Sequence, residues 1–541
     1  MHNSPDTSQS VSRSSTAFLS GTLLSRLTGW GRDTAMAVAF GSHPAIAAFM
    51  VAFRLANLIR RLVGEGPLSS GFVPHFEQLR AQSSEQAARF ARDLFFSLIL
   101  FLILLIGGIE ILLGGIGKWC HLNAGNAEIL HLTMLMLPGV LFICLFAFSS
   151  ALLQCERRFF LTGFAPTAFN VVWIAAIVLL QGRDPYQSVL YLSLAIIVAF
   201  VMQWAMLVPQ TFTLLRRSLS WKECLRPRLF SSELRPVIKP FLLGMIGVGA
   251  VQINSALDGV FARCASLEGP AYLWYAIRIE QLPLALFGIA LSAALLPSLS
   301  RTCKEGVDNA QYLQLLQFAF RRSFSLIFPC TLGIFVLGLA GINLLYGHGD
   351  FLWEDTYQTT LCLWAYGIGL LPSVFIVILA PAFYAKKEFR IPMIGSIASV
   401  GLHLLLTSAF VFGFGWGAFS IAIATSVAAW FNYFYLSHHL AKRAGRSLFD
   451  AAVFRSFFKT GACAVIASIV TLLVGHFLVG DATLHVASGQ WNIAFARDLA
   501  TQCLQFLAMA GTFLLMFFSY AWMLNAEDIL GLAGLKRRSL N

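Results

Sequence analysis

Apolar positions in this chain come in long blocks separated by short polar breaks. A helix needs about 20 apolar residues to cross a bilayer. Fourteen blocks meet or approach that length: 16–40, 44–72, 93–117, 127–153, 164–182, 186–214, 237–264, 271–299, 319–346, 356–383, 391–413, 416–440, 456–480 and 497–524. The closest breaks are the turn at 182–185 and the GWG that follows residue 414. The pattern predicts an all-α polytopic membrane protein.

Charge tests the count. With the N-terminus in the cytoplasm, 28 of the 38 Lys and Arg fall in the even-numbered loops and tails, and three (Lys118, Arg183, Arg497) on the opposite side. That asymmetry is the positive-inside pattern, and one missing or extra span would scramble it. Both termini are therefore expected in the cytoplasm. Four of those 28, Lys239, Arg321, Arg322 and Lys459, sit in the cytoplasmic ends of their blocks and are counted with the loops beside them. The other seven cations, Arg26, Arg32, Arg54, Arg60, Arg61, Arg263 and Arg278, lie within the blocks away from those ends, and none is Lys.

Composition agrees. The 541 residues are 57% hydrophobic and 12% charged, with mean hydropathy +0.73. Soluble domains carry roughly twice that charged fraction. The net charge of +12 is accounted for by cytoplasmic loops, so no nucleic-acid partner is expected. Ten cysteines show no CxxC pair and no ligand spacing with histidine, so neither a disulfide framework nor a metal site is expected.

The blocks divide into two lobes. AFRL at Ala52 and FVPHF resemble AIRI at Ala276 and LLPSL; LPGVLF around Pro138 resembles LPSVFI around Pro372. Each match pairs span n with span n+6. Six is even, so both lobes share one orientation, a known transporter plan. The expected organisation is a tail (1–15), an N-lobe of spans one to six (16–214), a basic interfacial linker helix (215–236), a C-lobe of spans seven to twelve (237–440), two further spans (441–524) and a cytoplasmic tail (525–541).

The charged positions form faces. Residues seven apart return to one side of a helix, so Arg26 and Asp33 share a face of span one. Arg54, Arg61 and Glu65 share one on span two, beside Asn57, with Arg60 turned away. Span seven carries Asn254, Ser255 and Asp258; span eight carries Arg278 and Gln281. A charge at mid-bilayer costs about 2.5–3.5 kcal/mol even on lenient scales. Guanidinium matches phosphate with paired planar donors and sheds water more readily than ammonium. These strips are expected to line one cationic cavity, with Asp33, Asn57, Glu65, Asp258 and Gln281 gating or supporting it. The plainer readings are that Arg60 and Arg61 snorkel, that Arg32 and Asp33 are a simple ion pair, that Arg263 is a boundary residue, and that His403 only packs.

SRLTGWGRD, AFRLANLIRRLVGEGPLSSGFVP, AIRIEQLP with GIALSAALLPSLSR, and PAFYAKKEFRIP resemble the MurJ (MviN) lipid II flippase family of bacterial peptidoglycan synthesis. The resemblance runs through nearly the whole chain and is weakest in the last two spans. It implies fourteen helices in two six-helix lobes of the multidrug/oligosaccharidyl-lipid/polysaccharide exporter superfamily, in the inner membrane. It also implies a cationic cavity and a groove at the last two spans for an undecaprenyl tail. Arg26, Arg32, Arg61 and Arg278 match arginines important in the family; Arg60 and Asp33 match neighbouring positions, Arg54 replaces a Lys, and Glu65 matches the EG motif. Ala47 and Ile277 stand where many members have Asp, and Gln281 where some have Glu. The stretch is thus read as a phosphate holder rather than an ion-pair latch. Asp258 resembles a sodium contributor of some members, but His403 stands where Asn is expected, so no cofactor or coupling sodium is assigned.

The expected function is lipid II export by alternating access, without covalent chemistry. A monomer is expected, with lipid II and membrane lipids as partners and cell-wall synthesis or division proteins as further candidates. The alternatives are an exporter of another polyprenyl-linked saccharide and a non-transporting scaffold for cell-wall enzymes. An enzyme acting on polyprenyl phosphate calls for acid-rich motifs that the sequence lacks, and a drug exporter for cations calls for acids in its cavity.

Overall fold

Backbone polar groups inside a bilayer must be satisfied within the chain, which a helix does by itself. The computed structural model follows that rule: the described residues form helices and connecting turns, with no strand. It describes residues 8–530 except 65–66, 157, 230, 290–298, 300–301, 303–308, 387, 445–447 and 480–497. Of the expected site residues, Glu65 lies outside the described set.

The helices are α1 (Ser8–Phe40), α2 (Pro44–Ile59), α3 (Pro67–Gln82), α4 (Ser84–Trp119), α5 (Ala124–Cys155), α6 (Phe159–Phe164), α7 (Pro166–Leu180), α8 (Pro185–Ala205), α9 (Val208–Arg216), α10 (Trp221–Cys224) and α11 (Arg235–Ala265). There follow α12 (Gly269–Pro283), α13 (Asn309–Tyr346), α14 (Trp353–Ala385), α15 (Arg390–Ser408), α16 (Phe419–Ala444), α17 (Ala451–Val479), α18 (Leu499–Met523) and α19 (Glu527–Leu530). Ten spans among them are long and apolar enough to cross a membrane. The other four expected spans fall at α1, α2–α3, α11 and α12. These four hold Arg26, Arg32, Arg54, Arg60, Arg61, Arg263 and Arg278.

Local chemistry sets the ends. Ser83, Asn123, Asp184 and Asp498 each accept a hydrogen bond from a first-turn backbone N–H of α4, α5, α8 and α18. Those N–H groups have no partner within the helix. Pro209 lies in the first turn of α9, where its missing N–H costs nothing, and the chain breaks there after α8. Between the end of α9 at Arg216 and the start of α11 at Arg235, the described residues of the linker are helical only over the single turn of α10 and the 3-10 turn Ser232–Leu234. The interfacial linker helix expected over 215–236 is thus broken into short turns; Pro227 and the polar residues around it favour turns.

Among the described residues three helices continue into π turns: Arg60–Gly64 after α2, Leu284–Ile289 after α12 and Ala409–Gly413 after α15. The first two begin six residues after an arginine, Arg54 or Arg278. The two spans that the sequence pairs thus share an irregularity as well as a motif. A single π turn inside an α-helix is a frequent mark of a functional segment.

The chain divides into two compact units, Met1–Val260 and Phe261–Asn541. The first is built on an aromatic core in which Phe49, Phe53, Phe169, Trp173 and Phe200 stack edge and face. A second knot joins Phe72, Phe90 and Phe148. In the second unit, Phe320, Phe375, Phe449 and Phe457 pack together. There α17 and α18 share a core of Cys463, Ala464, Ala467, Phe513, Phe517 and Ala521, closed by Ala526 and Ile529 and packed on Phe328 and Leu332 of α13.

Candidate functional site

In the first unit the arginines are held one by one. Arg32 is 8% exposed and Asp33 1%. Arg32 Nε and Nη2 donate to Asp33 Oδ1 at 3.0 and 2.7 Å, and Nη1 donates to Asn170 Oδ1 at 3.0 Å. Asn170 Nδ2 donates in turn to the Ser25 carbonyl and to Thr28 Oγ1, both at 3.0 Å. The Arg32 guanidinium lies 4.5 Å from the Trp173 ring centroid. One residue pair of α7, Asn170 and Trp173, therefore meets both the edge and the face of Arg32.

That arrangement matches the plainer sequence reading of this pair, a simple ion pair. Arg32 is latched to an acid: the carboxylate is its own neighbour in sequence, on the same helix. A buried pair of this kind is costly to break, about 3–5 kcal/mol when one partner is removed without replacement. Ala47 is fully buried, so an acid there would need a partner of its own.

The span-two arginines meet α11. Arg61 Nη1 donates to Gln252 Oε1 at 2.6 Å. The Arg54 side chain packs on Gly259, 3.5 Å from where a Cβ would stand, and its charge attracts that of Asp258. Contacts from residues 54 and 61 to residues 258–259 and 252 run in opposite directions, so α2 and α11 lie antiparallel there. Arg60 Nε donates to Asn57 Oδ1 at 3.0 Å, and Asn57 Nδ2 donates to the Phe53 carbonyl. Arg26 is exposed on α1, flanked by exposed Leu23, Leu27 and Trp30.

In the second unit Arg278 lies 4.5 Å from the ring centroid of Trp274, one helical turn earlier on α12. Gln281 is exposed and Glu280 buried, so the two face apart. Arg263 Nη1 donates to the Leu267 carbonyl just beyond the end of α11, the place of a boundary residue. His403 Nε2 lies 3.2 Å from Thr425 Oγ1 and 3.3 Å from Thr407 Oγ1; it is a packed, hydrogen-bonded histidine.

Sequence reasoning passed over Asn170, Trp173, Gln252 and Trp274. The last was readable, since a Trp four residues before an Arg shares its helix face. The α7 pair carries no pattern that separates it from ordinary residues of an apolar span.

Comparison with known proteins follows this geometry. A family model described as "Lipid II flippase MurJ" matches residues 36–489. A "Probable lipid II flippase MurJ" of Chlamydia muridarum is 32% identical over 98% of this chain and 97% of its own length. The "Lipid II flippase MurJ" of Burkholderia cenocepacia is 32% identical over 78% of this chain and 82% of its own. Among solved structures, a lipid II flippase MurJ in an inward closed conformation matches with a TM-score of 0.72 at 21% identity, covering 94% of this chain and 99% of that one. An inward-facing multidrug resistance MATE family transporter of the MOP superfamily matches at 0.61 and 16% identity, covering 79% of this chain and 98% of its own. The protein is multi-pass and all-helical, and it belongs to the lipid II flippase MurJ family.

Proposed function

We propose that this protein moves lipid II, the undecaprenyl-diphosphate-linked peptidoglycan precursor, from the cytoplasmic to the periplasmic leaflet of the bacterial inner membrane. The carrying observation is the arginine set. The seven cations that lie within the blocks away from their cytoplasmic ends are all Arg, and in the first unit three of them are held on side-chain carbonyls or carboxylates that an anion can replace. In this reading Arg26, Arg32, Arg54, Arg60, Arg61 and Arg278 take the diphosphate, while Asp33, Asn57, Glu65, Asp258 and Gln281 hold or release them. The tail stays in lipid against the exposed flanks of α17 and α18, where Phe458, Phe477, Leu504 and Leu515 point outward.

Alternating access supplies the movement, with both termini in the cytoplasm. A potential that is negative inside favours export of an anion by about 2.3 kcal/mol per charge per 100 mV. The MATE likeness supports the fold of an exporter, and the positive lining favours an anionic cargo over a cationic drug. The test is depletion of the protein in cells without another lipid II flippase, followed by a probe restricted to the periplasm. Loss of lipid II labelling is expected; undiminished labelling sinks the assignment.

A further inference from the structure

Two of the candidate arginines, one in each unit, lie against a tryptophan at the same distance. Arg32 sits 4.5 Å from the centroid of Trp173, and Arg278 sits 4.5 Å from that of Trp274. Both tryptophans are deeply buried, at 2% and 5% exposure. Trp173 is itself fixed by edge-on contacts with Phe49, Phe53 and Phe169.

A guanidinium has two chemically distinct aspects. Its rim carries five N–H donors, and its planar faces carry none. A tryptophan face attracts the cation through the ring quadrupole without using a donor. It also removes rotamer freedom from a long side chain before any ligand arrives, and so lowers the entropy lost on binding. A hydrogen-bonding partner cannot do both, because it occupies the rim that an oxyanion needs. At Arg32 the rim is engaged by Asp33 and Asn170, so an incoming anion exchanges with these while the face stays on Trp173.

We propose that Trp173 and Trp274 are positioning residues: each presents the rim of its own arginine to diphosphate oxygens of the lipid substrate, and each separately favours a diphosphate headgroup. The inference rests on the function proposed above and adds to it the residues that aim two of the arginines.

The test uses the full-length protein in nanodiscs and two probes, undecaprenyl diphosphate and undecaprenol. The tails are identical, so the ratio of their affinities reports the headgroup alone. W173L and W274L keep apolar bulk and lose the ring face; each is expected to weaken diphosphate binding about tenfold and leave undecaprenol binding unchanged. W173F and W274F keep a ring face and should stay within about threefold of the parent. A purely structural role would weaken both probes together and lower thermal stability. Parental diphosphate affinity in the leucine variants overturns the inference, as does equal loss in the leucine and phenylalanine variants. Trp274 stacks within its own helix, so W274L decides the matter if W173L does not fold. A parent protein with no preference for the diphosphate overturns the functional reading instead.

Discussion

Asn170→Ala is the substitution whose cost can be worked most directly from the structure. Asn170 is 4% exposed and joins α7 to three points of α1: the Arg32 guanidinium, the Ser25 carbonyl and Thr28 Oγ1. Its orientation is fixed by its partners, since Arg32 only donates and the Ser25 carbonyl only accepts. Hydrogen bonds between membrane helices average about 0.6 kcal/mol each, so three contribute about 2 kcal/mol. The bond to a charged group can be worth about 1.5–3 kcal/mol alone on the scale of soluble proteins, which sets an upper total of about 4 kcal/mol. SDS-driven unfolding in mixed micelles, read by tryptophan fluorescence, should show a loss within that range for N170A. Thr28→Val removes one of the three bonds and should cost about 0.6 kcal/mol. A loss below about 0.5 kcal/mol for N170A, the size of an ordinary surface change, refutes the reasoning. The α1–α7 contact would then be held by packing, and Arg32 by Asp33 and Trp173 without the amide.

Three further outcomes follow from other parts of the fold. Arg92, buried in the N-terminal part of α4, donates twice to Asp93 at 2.8 and 2.6 Å and once to the Glu223 carbonyl of the linker at 2.7 Å; R92A removes this cation from the buried Asp93 carboxylate, which keeps the Arg228 N–H as a donor at 2.9 Å, and should cost about 3 kcal/mol in the same unfolding assay. Glu223 is held below its ordinary pKa of 4.5 by Ser220 first and then by Arg89. A lowered carboxyl stabilises above its unfolded pKa and loses that contribution as pH falls through the folded value, so protease cutting of the linker should rise at acid pH and the E223Q variant should lose that dependence. A Cβ on Gly369 would stand 2.6 Å from Ser426 Oγ and 2.9 Å from its Cα; G369A forces α14 and α16 apart and should cost about 1–3 kcal/mol by thermal unfolding.

The span pattern was legible because a bilayer demands long apolar blocks and cytoplasmic cations, and both are properties of sequence. The four spans that carry arginine were located by their apolar blocks like the rest, and the charge split tested the count. On span two the seven-residue spacing placed Arg54 and Arg61 on one face, and both meet α11 there. On span one the same rule linked Asp33 to Arg26, yet the structure pairs Asp33 with Arg32. Adjacent residues point about 100° apart, but an arginine is long enough to fold back, and helical-face reasoning ignores side-chain reach. The π turns after Arg54 and Arg278 were invisible, because no residue pattern distinguishes an inserted backbone turn. Asn170 and Trp173 escaped because their role comes from a tertiary partner far away in sequence.

The most direct measurement reconstitutes the purified protein in liposomes with lipid II labelled on its peptide. A potential negative on the loading side is imposed, and the fraction reaching the opposite leaflet is read with a membrane-impermeant quencher. Transfer well above protein-free liposomes is predicted, with loss in the R278A and R61A variants despite normal folding. Transfer no faster than in protein-free liposomes, or undiminished transfer in both variants, would contradict the account.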